Sequence, residues 1–127
     1  MAHSAKAKPW NTPKRKLLER DVEKSCKQWA RDHGWWVRKF KAPGNRSVPD
    51  DIFAKKFFHG LSRKVAVEFK RLGKTSNDKQ VEEQAAMRAA GWEVYEIDSF
   101  EKFKVLFESI EAEESKQNTP LDWLELA

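Results

Sequence analysis

With 127 residues, the chain is long enough for one domain built around a single sheet and too short for a second folded unit. Its net charge of +5 favours a polyanionic partner, and its single cysteine excludes a disulfide framework and a cysteine-type zinc site, so any bound metal should be a hard cation held by oxygen. No apolar run is long enough to span a membrane and the start lacks the apolar core of a secretory signal, so we expect a cytoplasmic protein.

The first predicted elements are a flexible basic arm over residues 1–12 and a long helix. Thr12-Pro13 is a good helix start, because threonine caps the helix and proline suits its first position. The helix is expected to run to about Asp32 and to end at His33-Gly34. Its apolar stripe is expected at Leu18, Val22, Trp29 and either Ser25 or Cys26.

Three strands are predicted next, over residues 35–40, 50–54 and 64–69. The segment 41–47 has the composition of a loop, and His59-Gly60 is a turn that makes the second and third strands a hairpin. Of the adjacent Trp35 and Trp36, one is expected in the core and the other at the surface.

A helix over residues 77–90 is predicted to cross from the third strand to a fourth, over 92–97. A last helix is capped by Asp98 or Ser99 and has Phe103, Phe107 and neighbouring apolar residues on one face. The order predicts an α/β fold, a mixed sheet of about four strands flanked by helices. The domain is expected over 13–110, followed by an acidic tail over 111–127 that is either frayed or docked through its apolar residues on the body or on a second copy.

The most informative residues of the chain are Val48-Pro49-Asp50 and, on the third strand, Glu68 and Lys70. Glu68 and Lys70 are two apart and share one face of the strand, whereas Val65, Val67 and Phe69 point into the core. Charged residues on a core strand are unfavourable unless they are paired, bind a metal or face a cleft. The pattern favours a functional site over a surface salt bridge. Glu114 and Lys116 have the same spacing but belong to the polar, acidic end, where a solvated tail is expected.

The spacing of several segments together resembles the VRR-NUC domain, a compact branch of the PD-(D/E)xK nucleases found as stand-alone proteins in phage and bacteria. The resemblance covers about residues 15–108. It rests on 38–50, on 67–71, on Gln80 and on Gly91. It implies a restriction-endonuclease-like core and, for a phage-encoded protein, a location in the host cytoplasm.

The resemblance implies a role for each matching residue. Asp50, Glu68 and the backbone carbonyl of Phe69 would hold Mg²⁺ or Mn²⁺, and Glu19 would hold a metal-bound water or a second ion. Lys70 would orient the attacking water or stabilise charge on the phosphate. Gln80 matches a glutamine that the family places among its site residues, at the start of the helix that follows the strand with Lys70. Two alternatives stay open, namely that Glu19 is a solvated helix charge and that Gln80 is an ordinary polar helix residue.

Two residues depart from the family pattern. Ser47 stands where glycine is common, and Asp51 stands where arginine often follows the aspartate. Strand alternation puts Asp50 and Asp51 on opposite sides, so only one of them should meet the same metal as Glu68. Asp50 is chosen because it matches the motif, and Asp51 is left as a DNA-shaping or structural residue.

Together with the resemblance, these residues predict a metal-dependent, structure-selective DNA endonuclease, since stand-alone members of the family resemble Holliday junction resolvases. Branched DNA such as a Holliday junction needs two symmetric cuts, which favours a homodimer. The alternatives are a non-catalytic DNA-binding module with the nuclease fold and, more weakly, a restriction-like enzyme that cuts a defined sequence. Phosphate contacts are expected from a basic rim formed by Lys39, Lys41, Arg46, Arg71 and Lys74, extended by Lys14, Arg15 and Lys16.

Overall fold

The computed structural model describes residues 19–58, 60–71 and 73–116. Its elements are α1 (Glu19–Asp32), β1 (Trp36–Lys39), β2 (Asp51–Lys56), β3 (Ser62–Phe69), α2 (Asp78–Ala89), β4 (Glu93–Ile97) and α3 (Phe100–Lys116). This order confirms the predicted α/β class and the predicted succession of elements. Within these residues, no helix is both long and apolar enough to cross a bilayer.

Some predictions fall outside the described residues. They concern the basic arm, the helix start at Thr12-Pro13, the apolar position Leu18, the cations Lys14, Arg15 and Lys16, and the segment 117–127.

The four strands form one mixed sheet in the order β1-β2-β3-β4. β2 pairs antiparallel with both β1 and β3, which confirms the predicted hairpin, and β3 pairs parallel with β4. Two parallel neighbours need a crossover connection, and α2 provides it. β1 and β4 are therefore the edge strands of this sheet.

One face of the sheet packs against α1 and α3 and forms the larger core. Val65, Val67 and Phe69 lie in it, as the alternation along β3 predicts. The rings of Phe103 and Phe107 stack there with centroids 4.0 Å apart. The buried residues of this core are Val22, Cys26, Ala30, Trp35, Val37, Phe53, Val65, Val67, Phe69, Ile97, Phe103, Phe107 and Ile110.

Two ambiguous positions of the sequence are resolved by this core. The apolar stripe of α1 passes through Cys26, which is fully buried, and not through the exposed Ser25. Burial raises the pKa of the Cys26 thiol to about 12, with a smaller contribution from nearby carboxylates, so this cysteine is an inert core residue. Trp35 is buried and Trp36 is half exposed, as predicted for the pair.

The other face of the sheet is covered in part by α2. Ala66, Val94 and Met87 form a small second core there. α2 begins with a capping box, because the Asn77 side chain accepts a hydrogen bond from the Gln80 N–H and the Gln80 side chain accepts one from the Asn77 N–H. This cap fixes the start of α2 beside the end of β3.

The last helix extends further than the sequence predicted. The Ser99 hydroxyl oxygen accepts a hydrogen bond from the Lys102 N–H, so Ser99 is the cap. The helix then continues past residue 110, and the expectation that Glu114 lies in a solvated tail is wrong. Glu114 is 5% exposed, and its Oε2 lies 2.8 Å from a guanidinium nitrogen of Arg63 on β3. This ion pair needs a strand distant in sequence, which the local acidic composition does not reveal.

Candidate active site

Asp50 reaches the site because it directly precedes β2, next to the end of β3. Its backbone N–H donates to the carbonyl oxygen of Val67 at 3.1 Å. Since Asp51 pairs with Val67, the same antiparallel register continued by one residue sets Asp50 beside Glu68. The Phe69 N–H donates to Asp50 Oδ2 at 2.7 Å and fixes one oxygen of the carboxylate.

Glu68 is the second-last residue of β3, and Lys70 directly follows the strand. Lys70 Nζ lies 3.4 Å from Glu68 Oε2, and both side chains are mostly buried. The Lys70 N–H donates to the carbonyl oxygen of Ile97 at the end of β4, which anchors its backbone. The structure thus brings Asp50, Glu68 and Lys70 together at one end of the sheet.

Gln80 connects this group to α2. Its Oε1 accepts a hydrogen bond from Lys70 Nζ at 2.8 Å, and its Nε2 donates to Glu68 Oε2 at 3.3 Å. The same Oε1 also accepts from the Asn77 N–H in the capping box. The Gln80 side chain therefore caps the start of α2 and also fixes the Glu68 carboxylate relative to the Lys70 ammonium.

The two carboxylates destabilise each other as anions. Burial and, to a smaller extent, the neighbouring Asp50 carboxylate raise the pKa of Glu68 to about 7, against the opposing influence of Lys70. Burial also raises the pKa of Asp50, and the hydrogen bond from the Phe69 N–H partly offsets that increase. A divalent cation between these groups would remove the repulsion, because it stabilises both ionised forms.

Glu19 lies in the first described turn of α1 and is exposed. It lines a shallow cavity of about 320 Å³ together with Arg20, Glu23, Asp50 and Arg71. Its charge contributes to the raised pKa values of both Asp50 and Glu68. The structure therefore brings Glu19 to the same opening as Asp50.

The donor set can be compared with what a metal needs. Within the described ranges, no group of three or more His, Cys, Asp or Glu side chains is arranged to hold a metal ion. Asp50 and Glu68 are two carboxylates, and Mg²⁺ is commonly held by one or two carboxylates with waters completing its shell. The residues fit a hard, partly hydrated cation and do not fit a soft one. The predicted role of the Phe69 carbonyl oxygen remains an expectation.

A charged cluster behind the site was not predicted. Asp51 is fully buried on the α1 side of the sheet, with Oδ1 3.0 Å from Lys27 Nζ. Burial and the nearby Glu23 carboxylate raise its pKa to about 7, against the opposing influence of Lys27. Against the opposing effect of burial, the pKa of Glu23 is in contrast lowered by its cationic neighbours, and its Oε2 lies 2.8 Å from Lys39 Nζ. Asp51 thus faces away from Glu68, as strand alternation predicted, and it ties α1 to the sheet.

Sequence reasoning passed over the α1 partners in this cluster. Glu23 and Lys27 have the i,i+4 spacing of a helix ion pair, a pattern that usually marks a solvated surface. The departure of Asp51 from the family pattern was the one signal that could have pointed to these partners, since a buried aspartate needs a cationic partner.

The predicted basic rim is partly free. Lys41, Arg46, Arg71 and Lys74 are exposed. Lys41 and Arg46 line a cavity of about 430 Å³ that also includes Asp50. Lys39 is half exposed, but its ammonium is engaged by Glu23.

Comparison with known proteins adds an independent observation. No protein-family model matches the chain, and no curated protein sequence matches it. A solved structure described as a VRR_NUC domain is 27% identical to the chain, with a TM-score of 0.58, and the match covers 71% of this chain and 94% of that one. The chain has the fold of a VRR_NUC domain. The VRR_NUC part of the predicted resemblance is confirmed at this level. The residue roles that the resemblance implies are not tested by it.

Proposed function

We propose that the chain is a metal-dependent nuclease of the PD-(D/E)xK type that hydrolyses phosphodiester bonds in DNA. The observation that carries the proposal is the convergence of Asp50, Glu68 and Lys70 at one end of the sheet, where Gln80 bridges the last two. The similarity to a VRR_NUC domain supports it. Two carboxylates with raised pKa values and one ordered ammonium are a costly arrangement for a purely structural role.

The proposed roles follow from the contacts. Asp50 and Glu68 would bind Mg²⁺ or Mn²⁺, which in such sites lowers the pKa of a bound water and neutralises charge on the phosphate. Glu68 and Gln80 fix the ammonium of Lys70, so it can orient the attacking water or stabilise negative charge that develops on the phosphate oxygens. Glu19, at the opening, is proposed to position water from the α1 side.

The proposed substrate is branched DNA, cut by two copies of the chain. The net charge of +5 and the exposed Lys41, Arg46, Arg71 and Lys74 support binding to the phosphate backbone. Contacts of this type carry no sequence information, so selectivity would come from DNA structure. A chain with one site needs a second copy to cut a four-way junction symmetrically, as a Holliday junction resolvase does.

A cleavage assay tests the function directly. The parent protein is incubated with Mg²⁺ or Mn²⁺ and with four-way, forked, flapped and linear duplex DNA. We expect cleavage of the branched substrates that stops in EDTA and is lost in Asp50→Asn and in Lys70→Ala. Exposed Glu82 on α2 offers a charge-matched control, since Glu82→Gln should cut like the parent. Cutting by Asp50→Asn at the parent rate would show that the site is elsewhere.

A second candidate function is a DNA-binding module without catalysis. The shortage of a third acidic, histidine or cysteine ligand in the described part of the chain favours it. The two candidates differ in how cations affect DNA binding. For a nuclease, Ca²⁺ should tighten binding of the parent and Glu68→Gln should remove that effect. For a binding module, Ca²⁺ should have no effect and Glu68→Gln should tighten binding in EDTA, because a repelling carboxylate is lost.

A further inference from the structure

The described residues cover only part of the face of the sheet that carries Glu68. α2 packs over Ala66 and Val94, on the β3 and β4 side. On edge strand β1, Trp36 is 49% exposed, although its neighbours Trp35 and Val37 are buried. The ring of Trp36 therefore has a face that a ligand or partner can contact.

Cations surround this tryptophan on the same face. Trp36 pairs with Ala54 and Ala54 pairs with Lys64, so these three residues lie in one row across the sheet. The guanidinium carbon of Arg38 lies 4.8 Å from the centroid of the Trp36 ring. Lys56, two residues after Ala54, shares this face. Trp36, Arg38, Lys56 and Lys64 are all exposed, and together they are called the Trp36 patch.

The charge on the β1, β2 and β3 part of this face is one-sided. Among the residues of β1, β2 and β3 that share the face of Trp36, the only acid is Glu68, which belongs to the candidate active site. The Trp36 patch therefore has an aromatic surface and three cations with no acid on those strands to balance them. This is the combination used to bind single-stranded nucleic acid, in which bases stack on aromatic rings and cations contact phosphates.

We propose that the Trp36 patch binds unpaired nucleotides of the DNA substrate, with a base stacked on Trp36 and phosphates held by Arg38, Lys56 and Lys64. The inference rests on the proposed function and names what that function leaves open, the surface that distinguishes branched DNA from duplex. Stacking needs a free base face, which a continuous duplex does not offer.

The distance to the candidate active site suits this role. Trp36 and Phe40 are four residues apart along an extended segment, which corresponds to about 13 Å. The Phe40 N–H donates to the carbonyl oxygen of Asp50 at 2.8 Å, so the far end of this segment adjoins the site. At about 3.4 Å per nucleotide along a strand, the patch lies about four stacked nucleotides from the proposed cut.

A second copy of the chain fits the same surface less well. A symmetric contact between two Trp36 patches would oppose three cations with three cations, which is unfavourable. Arg38 and Lys39 on the edge strand β1 also oppose strand-to-strand pairing with another copy, because charged edge residues resist it.

Binding measurements in EDTA test the inference without cleavage. The full chain and its variants are titrated with fluorescent oligothymidylate and with blunt duplex DNA, and binding is followed by anisotropy. We expect Trp36→Ala to weaken oligothymidylate binding roughly 5- to 150-fold, the range measured for losing one stacked base, and to change duplex binding less than about twofold. Trp36→Phe should retain most of the affinity. Lys104→Ala on α3 is the matched control and should bind like the parent.

Salt dependence separates stacking from charge. For oligothymidylate, Trp36→Ala should leave the slope of log affinity against log salt unchanged, whereas Arg38→Ala and Lys64→Ala should each reduce it by about 0.7. Unchanged oligothymidylate affinity in Trp36→Ala would overturn the inference. So would a change of the parent from dimer to monomer in sedimentation caused by this substitution, which would assign the patch to self-association. These outcomes are read without divalent ions, so they are independent of whether the chain cuts DNA.

Discussion

Asp50 Oδ2 accepts a hydrogen bond of 2.7 Å from the backbone N–H of Phe69, the residue between Glu68 and Lys70. This contact joins the loop before β2 to the end of β3. It fixes the distance between the two candidate metal-binding carboxylates, because Phe69 is itself held in the core. Asp50 therefore has both a structural contact and a proposed chemical role, and the two can be separated experimentally.

Asp50→Asn should fold like the parent and fail to cut DNA. The asparagine side-chain oxygen can still accept from the Phe69 N–H, whereas the negative charge needed for a hard cation is lost. Substituting a residue that only contacts a metal ligand typically costs about 10- to 100-fold in metal affinity or activity. Asp50 is proposed as a ligand itself, so we expect the cleavage rate to fall by at least about 100-fold. Urea unfolding provides the folding control. An active Asp50→Asn protein would contradict the assignment of this carboxylate.

Stability without divalent cations should fall as the pH rises, because of Glu68. Its pKa is raised in the folded state from 4.5 to about 7, so the stabilisation is complete below 4.5 and is lost as the pH rises through 7. The change attributable to this group is of order 3 kcal/mol. Glu68→Gln should show a smaller fall than the parent in urea unfolding at about pH 5 and about pH 8 in EDTA.

The pKa of Asp51 is also raised to about 7. As the pH rises, the parent should therefore lose stability through both Glu68 and Asp51, whereas Glu68→Gln should lose it through Asp51 alone. Equal pH slopes in the parent and in Glu68→Gln would show that Glu68 is not buried beside a second carboxylate.

Gln80 should show two separable roles. Gln80→Ala removes half of the capping box and also the contacts to Lys70 and Glu68, whereas Asn77→Ala removes the cap alone. Both should lose about 1 kcal/mol in free energy of unfolding. Only Gln80→Ala should also reduce cleavage, by about 10- to 100-fold, as expected for a residue that orients a catalytic group. A matching loss in Asn77→Ala would mean that the helix start, and not the side-chain bridge, controls the site.

The stability of the buried cluster between α1 and the sheet should depend on the ion pair of Lys27 with Asp51. Lys27→Met leaves Asp51 buried without the cation that lies 3.0 Å from it, which should lower the free energy of unfolding by about 3 kcal/mol at neutral pH. The double variant Lys27→Met with Asp51→Asn should recover most of this loss, because no buried charge remains unpaired. Thermal unfolding of the parent, both single variants and the double variant measures the coupling. Additive losses would show that the two side chains do not interact.

The sequence by itself determined the element order, the inward side of β3 and the shared face of Glu68 and Lys70. These follow from local rules, whereas the choice of Asp50, Glu19 and Gln80 as candidate site residues rested on the resemblance to a family. Alternation along an extended strand puts Val67 and Phe69 opposite Glu68, and the same alternation separates Asp50 from Asp51. Spacing could also offer alternatives, as it did for Ser25 and Cys26 and for Trp35 and Trp36. It could not choose between them, because the choice depends on which side meets α3.

Only the tertiary structure decided which charged residues meet across the fold. Asp51 is buried against Lys27 and Glu23, and Glu114 is buried against Arg63. Each contact joins elements far apart in the chain, and the spacing and surroundings of Glu23, Lys27 and Glu114 are typical of solvated charges. The physical reason is that a charge tolerates burial only when a partner is brought to it, and chain folding alone supplies that partner.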